Sequence, residues 1–437
     1  MQFALTNLVK CWVFWLQTMT HGVIMTNRRA FLGKMGATAL IGAGALTACN
    51  NAQNQTTAPT AKGNPDSQTP PNPFAKMAYD FYGKHQAGIT TPVQHHAYFL
   101  VAELHSTNVD EIRQMFKDWT EYSAKLTQGK NIKPYDKNPH LPPADTGEAD
   151  SLGAYGLTLT FGISPSFLEK LGLSDKAPPE FSDLPKFPRD QIRPELSGGD
   201  ICIQACSEDP QVAFHAVRQL VRQARSLITM KWSQSGYNSF DNGADTPRNL
   251  FGFKDGTANK TTLDDTDKWL WAKGSDKTAW FDGGTYLVAR IIQMHLETWD
   301  RTSLVGQEDT FGRHRDTGAS IGKTGEFDDF DVNEKDDKGN LVIAEPTHMG
   351  LAKRTGLQIL RRSFSYSSGI DVKTGQFNAG LLFISFQKSP MQFSVIQNAF
   401  GNTDKMTEYT THIGSGLFAC FGGVKEGEYL GQRLFEG

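Results

Sequence analysis

Between His96 and Tyr237 the chain reads strand, helix, strand, strand, helix, strand, and from Thr285 to Cys420 much of that rhythm returns. No other feature narrows the fold as far, because each such run must bury one face of a sheet beneath helices. His96 to Leu104 (HAYFLVAEL) is rich in aromatic and branched residues, which predicts a strand. Val109, Ile112, Phe116 and Trp119 then recur at helical spacing, with Asn108 as N-cap and Glu111 completing a capping-box pattern. Leu157 to Ile163 and Gly199 to Cys206 are further strand candidates. Asp209-Pro210 opens a helix whose buried face is marked by Ala213, Val217, Leu220, Ala224 and Leu227. Met230 to Tyr237 closes the unit. In the second half, Thr285 to His295, Leu357 to Tyr366, Gly380 to Gln387 and Thr411 to Cys420 read as strands, with a helix over Met391 to Phe400.

The expected architecture is α+β, two ferredoxin-like domains packed together (the dimeric α+β barrel type), over residues 74–245 and 246–437. Gly-, Asp- and Lys-rich stretches such as Gly306 to Gly339 read as long loops, which in a compact protein usually build a site or its rim.

Ahead of these domains, residues 25–49 resemble a twin-arginine export signal: Arg28-Arg29, then Phe31-Leu32 and Lys34, then an apolar run too short to span a bilayer. Its end, Leu46-Thr-Ala-Cys49, resembles a lipobox, which would leave a lipidated Cys49 as the mature N-terminus. Periplasmic localisation follows from this reading. Residues 1–24 are read as a mis-called upstream segment, with Met25 as the start, and residues 50–73 as a disordered tether poor in apolar bulk.

Net charge of −3 argues against a polyanion-binding protein, so nucleic acid is not an expected partner. Of five cysteines, Cys11 and Cys49 fall in the leader region. Cys202 and Cys206 would share one strand face about 13 Å apart, too far for a disulfide, and read as small core residues. No zinc-ligand spacing is present.

Two segments carry candidate chemistry. The first is Asn249-Leu-Phe-Gly-Phe-Lys-Asp-Gly-Thr-Ala-Asn259, where an apolar run precedes Asp255-Gly256 and glycines 252 and 256 permit close backbone approach. An acid at the mouth of a buried pocket can shuttle a proton, although most Asp-Gly pairs are only tight turns. The second runs from His348 through Lys353-Arg354 to Arg361-Arg362. A single histidine without a partner at ligand spacing suits haem better than zinc, since haem supplies four nitrogens itself. Adjacent arginines in a strand point to opposite faces, so one of them enters the core.

Together these segments resemble the dye-decolorising peroxidases. GFKDGTAN around Asp255 matches the GxxDG signature, and His348 to Arg361 followed by RSFSYSSG matches the proximal-histidine and distal-arginine region. Phe81 to Ile89, Trp299 to Thr302, Gly312 to Ala319 and Gly423 to Gly431 resemble the deferrochelatase/peroxidase branch associated with iron transport, and the likeness runs from about Phe74 to the C-terminus. The resemblance implies one haem b per chain held through iron by His348. It implies catalytic Asp255 and Arg361, a haem-lining loop of Gly256, Thr257 and Ala258, and Lys353 and Arg354 at the propionates. Some relatives carry an asparagine two residues after the distal arginine, where this chain has Ser363. Implied partners are hydrogen peroxide, a reducing small-molecule donor and iron-uptake proteins, with a homodimeric assembly. Release of iron from haem with the porphyrin intact, and a non-catalytic haem carrier, are the alternative functions. The 8 Trp and 11 Tyr offer no nominated electron relay.

Overall fold

The computed structural model describes residues 72–135, 137–240, 246–262 and 265–436. The upstream segment, the export signal, Cys49, nearly all of the tether and the residues just before the division at 246 lie outside the described residues.

The first half carries β1 (His96–Leu104), α1 (Val109–Leu126), β2 (Thr158–Ile163), α2 (Pro165–Lys170), β3 (Ile201–Ser207), α3 (Pro210–Gln223) and β4 (Ile228–Tyr237). The second carries α4 (Thr257–Thr262), α5 (Thr266–Trp269), β5 (Thr285–Met294), α6 (Leu296–Trp299), α7 (Leu304–Phe311) and α8 (His348–Arg354). After these come β6 (Leu360–Arg361), β7 (Phe364–Ile370), β8 (Phe377–Gln387), α9 (Pro390–Phe400), β9 (Thr410–Cys420) and α10 (Gln432–Glu436).

The strands form one sheet in the order β5-β9-β2-β3-β1-β4-β7-β8-β6, and β5 also pairs with β8, so it closes on itself. Each half contributes the same order, β4-β1-β3-β2 and β9-β5-β8-β7, which is the ferredoxin-like arrangement expected from the sequence. Phe99, Val101 and Trp232 of the first half meet Leu287, Leu382, Ile384 and Phe418 of the second inside the resulting barrel-like core. The opposite face of the first half-sheet lies under α1 and α3, where Phe116, Trp119, Val217 and Leu220 pack on Leu100, Phe161 and Ile203.

The two seams are thin. β2 and β9 share only Gly162↔Cys420 and Ile163↔Ala419, and β4 and β7 only Tyr237↔Ser365. Side chains reinforce both. Gln86 donates to the carbonyls of Phe161 (2.9 Å) and Phe421 (3.0 Å) and accepts from the Phe161 amide (2.8 Å), so it stitches the first seam. At the second, the guanidinium of buried Arg362 donates to the carbonyls of Thr91 (2.5 Å) and Pro92 (3.1 Å) and to Gln94. Hydrogen bonds to buried polar groups are costly to lose, because the freed partner stays dehydrated.

Cys202, Cys206 and Cys420 are free and buried, as expected of core residues. Gly162 lies between Cys202 and Cys420 in register. A Cβ added at Gly162 would sit 3.0 Å from Phe418 Cβ, 3.1 Å from Cys202 Sγ and 3.2 Å from Cys420 Sγ. Gly162→Val is therefore expected to destabilise the fold by about 1–3 kcal/mol through overpacking, read as a lower urea midpoint.

Three local expectations need correction. Glu111 does not close a capping box on Asn108. Its carboxylate accepts from Ser106 Oγ (2.6 Å), and the same hydroxyl oxygen accepts the Asn108 amide (3.1 Å). The single strand expected over Leu357 to Tyr366 is divided at Arg362-Ser363, yet its register does not slip, with Arg361↔Ser385 and Phe364↔Leu382 on either side. Part of Gly306 to Gly339 is also helical, as the end of α7.

Candidate active site

The turn that presents Asp255 is closed by its own residues. Asn249 Oδ1 accepts the amides of Phe251 (3.1 Å) and Phe253 (3.3 Å), and the Asp255 amide donates to Pro247 O (2.9 Å). Gly252 (φ 83°) and Gly256 (φ 115°) occupy left-handed backbone that a side chain would strain. Beneath the turn, Phe253 stacks on Phe311 with centroids 4.0 Å apart, and Phe251 packs 4.5 Å from Trp299. Trp299 Nε1 donates to Phe251 O (3.1 Å) and its ring meets Tyr409 at 4.9 Å. The apolar run before Asp255 thus forms the floor that the sequence implied.

Arg361 ends β6 and reaches that turn, with Nη1 3.1 Å from Asp255 Oδ1. Alternation sends Arg362 the other way, into the barrel, as expected for neighbouring strand residues. The arginine that meets an acid is Arg361. At Ser363, where some relatives carry an asparagine, the hydroxyl is buried and has no hydrogen-bond partner among the described residues.

His348 is the first residue of α8, behind the N-cap Thr347, whose hydroxyl accepts the Gly350 amide. Its Nδ1 lies 2.7 Å from Asp404 Oδ2, and its ring stacks on Phe400 at 4.3 Å. Asp404 is itself buried and fixed, because its Oδ1 accepts the Met406 amide (2.9 Å). The carboxylate holds the imidazole in the tautomer with the proton on Nδ1, so the Nε2 lone pair is the one available to a metal. Nothing in the sequence pairs His348 with Asp404, which lies 56 residues away. His412 of β9 is buried near both Arg290 and His348. Burial first, then Arg290 and His348, push its imidazole down to about 3.

Residues between α7 and α8 form a strap over the Asp255 turn. Glu326 accepts from Thr257 Oγ1 (2.8 Å) and sits 3.3 Å from Lys254 Nζ, and Arg313 donates to Gly318 O (2.6 Å). Burial, and then the neighbouring charge of Arg361, lower Arg313 to about 10. Sequence reasoning missed Glu326, Phe400 and Asp404 because each depends on a contact distant in the chain. Thr257 is placed on Glu326, Gly256 borders the acid and Ala258 is exposed.

Lys353 and Arg354 serve the strap. Lys353 Nζ lies 4.4 Å from the Phe330 centroid. Arg354 donates to the carbonyls of Val332 (2.9 Å), Ile343 (3.1 Å) and Glu345 (3.2 Å). A haem carboxylate would reach Arg354 only in competition with those bonds.

Burial would raise the Glu326 carboxyl, but hydrogen bonds from Thr246 and Thr257, with Lys254 beside it, hold it below the usual glutamate range. A depressed native pKa gives stability that is full above the unfolded value and lost as pH falls through the native one. The strap is therefore expected to loosen only below about pH 4.5, seen as faster amide exchange there, and Glu326→Gln should remove that acid limb.

An imidazole backed by a carboxylate and a carboxylate–guanidinium pair are side-chain sets of the kind that haem peroxidases use. The sequence matches the description "Dyp-type peroxidase, N-terminal" over residues 86–238 and "Dyp-type peroxidase, C-terminal" over residues 246–425. It is 35% identical to the Deferrochelatase of Escherichia coli (strain K12) over 433 residues, covering 95% of this chain and 98% of that protein. The crystal structure of a DyP-type peroxidase from Streptomyces coelicolor aligns with TM-score 0.77 and 33% identity, covering 83% of this chain and 98% of the other. Ferric DtpA from Streptomyces lividans aligns with TM-score 0.76 and 33% identity, covering 83% and 98%. The chain belongs to the Dyp-type peroxidase family.

Proposed function

We propose that this chain binds one haem b between His348 and the Asp255–Arg361 pair, reduces hydrogen peroxide and oxidises organic donors in one-electron steps. The observation that carries this reading is the 3.1 Å contact between Asp255 and Arg361, side chains delivered by separate elements to one point. The residues fit the group. His348 has Nδ1 occupied and Nε2 left for iron, which is the donor set haem requires. When bound, haem supplies the redox-active iron that accepts oxidising equivalents from peroxide and passes them on to a donor. Asp255 takes the proton from the inner peroxide oxygen and returns it to the outer one, so that the leaving oxygen departs as water. Arg361 stabilises the negative charge that grows as the O–O bond lengthens. Asp404 keeps the imidazole oriented and basic.

Absorption spectroscopy of the full chain reconstituted with haem tests this. A Soret band that changes within seconds of one equivalent of peroxide, and reverts on adding a reducing dye, supports it. A band indifferent to peroxide would overturn it. The relatives named Deferrochelatase motivate the second reading, iron release with the porphyrin intact, and the appearance of free-porphyrin fluorescence in the same cuvette would favour it. Export by the twin-arginine route to the periplasm, lipidation of Cys49, a homodimer and iron-uptake partners complete the proposal. Cell fractionation, mass analysis of the mature N-terminus and light scattering test the first three, and co-purification tests the last.

A further inference from the structure

Arg361 belongs to the shortest strand of the sheet. β6 pairs only with β8, at Leu360↔Phe386 and Arg361↔Ser385, and it ends the strand order. β6 continues β7 in the same register along one side of β8, but it has no strand on its other side, so its outward N–H and C=O need other partners. One side chain supplies both. Asn259 Oδ1 accepts the Arg361 amide (3.1 Å) and Asn259 Nδ2 donates to the Arg361 carbonyl (2.5 Å). The carboxamide thus stands in for a neighbouring strand.

Asn259 lies in the first turn of α4, four residues after Asp255. Its clamp therefore ties the backbone that carries the guanidinium to the loop that carries the acid. The side-chain ion pair cannot do this alone. Arg361 is 29% and Asp255 14% exposed, and a partly exposed pair contributes little. It must also open when a ligand enters between the two groups, whereas the backbone clamp persists while the side chains part.

We propose that Asn259 is a positioning residue, which sets the separation of Asp255 and Arg361 independently of their ion pair. The proposal rests on the reading of those two residues as the peroxide-handling pair. The haem-loaded full chain is compared with Asn259→Leu, which removes both bonds, and Asn259→Asp, which keeps the acceptor and loses the donor. Asp255→Ala and Arg361→Leu serve as controls. Two readouts are taken: the pH profile of the rate with peroxide, and fluoride affinity by absorption titration, which senses a guanidinium donor near the iron without turnover. Asn259→Leu is expected to lower the rate by about 10²-fold, the cost of a misplacement near 1 Å. It should also weaken fluoride by about tenfold, as expected for one lost hydrogen bond. Asn259→Asp should change both in the same direction by less, and it decides the matter if the leucine variant does not fold. If both controls respond while the Asn259 variants match wild type, the positioning role is wrong. If the controls leave both readouts unchanged, the reading of the pair itself fails.

Discussion

Replacing Asp255 by alanine is expected to slow the reaction of the haem-loaded protein with peroxide by about 10²- to 10⁴-fold, the usual contribution of a placed general acid–base. Haem uptake should be unchanged, because the carboxylate meets Arg361 and has no part in the His348–Asp404 contact. Asp255→Asn should behave like alanine, since an amide matches the shape but cannot carry the proton. Arg361→Leu should cost about 10²- to 10³-fold, the range for removing one donor aimed at developing charge. The two residues share a contact, so the double variant should lose less than the product of the two single losses. Stopped-flow absorption measures all four proteins. A rate for Asp255→Ala equal to wild type would remove the acid from the reaction.

His348→Ala carries the second large effect. Haem affinity should fall by at least about 10- to 100-fold, the range seen when only a ligand's supporting hydrogen bond is lost. The Soret band of residual haem should shift, and free imidazole should restore it by filling the space left between Phe400 and Asp404. Asp404→Asn, which keeps the ring in place but weakens its partner, should change haem affinity and the peroxide rate by about 10- to 100-fold. An unaltered spectrum in His348→Ala would show that another residue holds the iron.

Much of the fold could be read in advance because it rests on local patterns. Alternation in β1, β5, β8 and β9, the cap and proline opening α3, and the spacing of Ile112, Phe116 and Trp119 in α1 all lie within short windows. Strand ends moved by up to four residues, as at β7, which runs to Ile370 where Tyr366 was expected. The capping box failed because Ser106, outside the motif, bound Glu111 first. Asp255, Arg361 and His348 stood out through motif and resemblance, and the structure brings the first two together. Arg354 matched the same motif yet is taken up by three carbonyls of the strap, and a linear pattern cannot reveal that competition.

The sequence by itself determined the repeated strand and helix order, that Arg361 and Arg362 take opposite faces, and the glycines that let the Asp255 turn form. These follow from dihedral preference and periodicity over a few residues. Only the tertiary structure decided how the half-sheets join, with Gln86 and Arg362 at the seams, that Asp404 backs His348, and that Asn259 clamps Arg361. Each of those is a hydrogen bond or packing contact between residues far apart in the chain or on separate elements. Its partner is chosen by where the barrel places two surfaces, a choice that no local preference encodes.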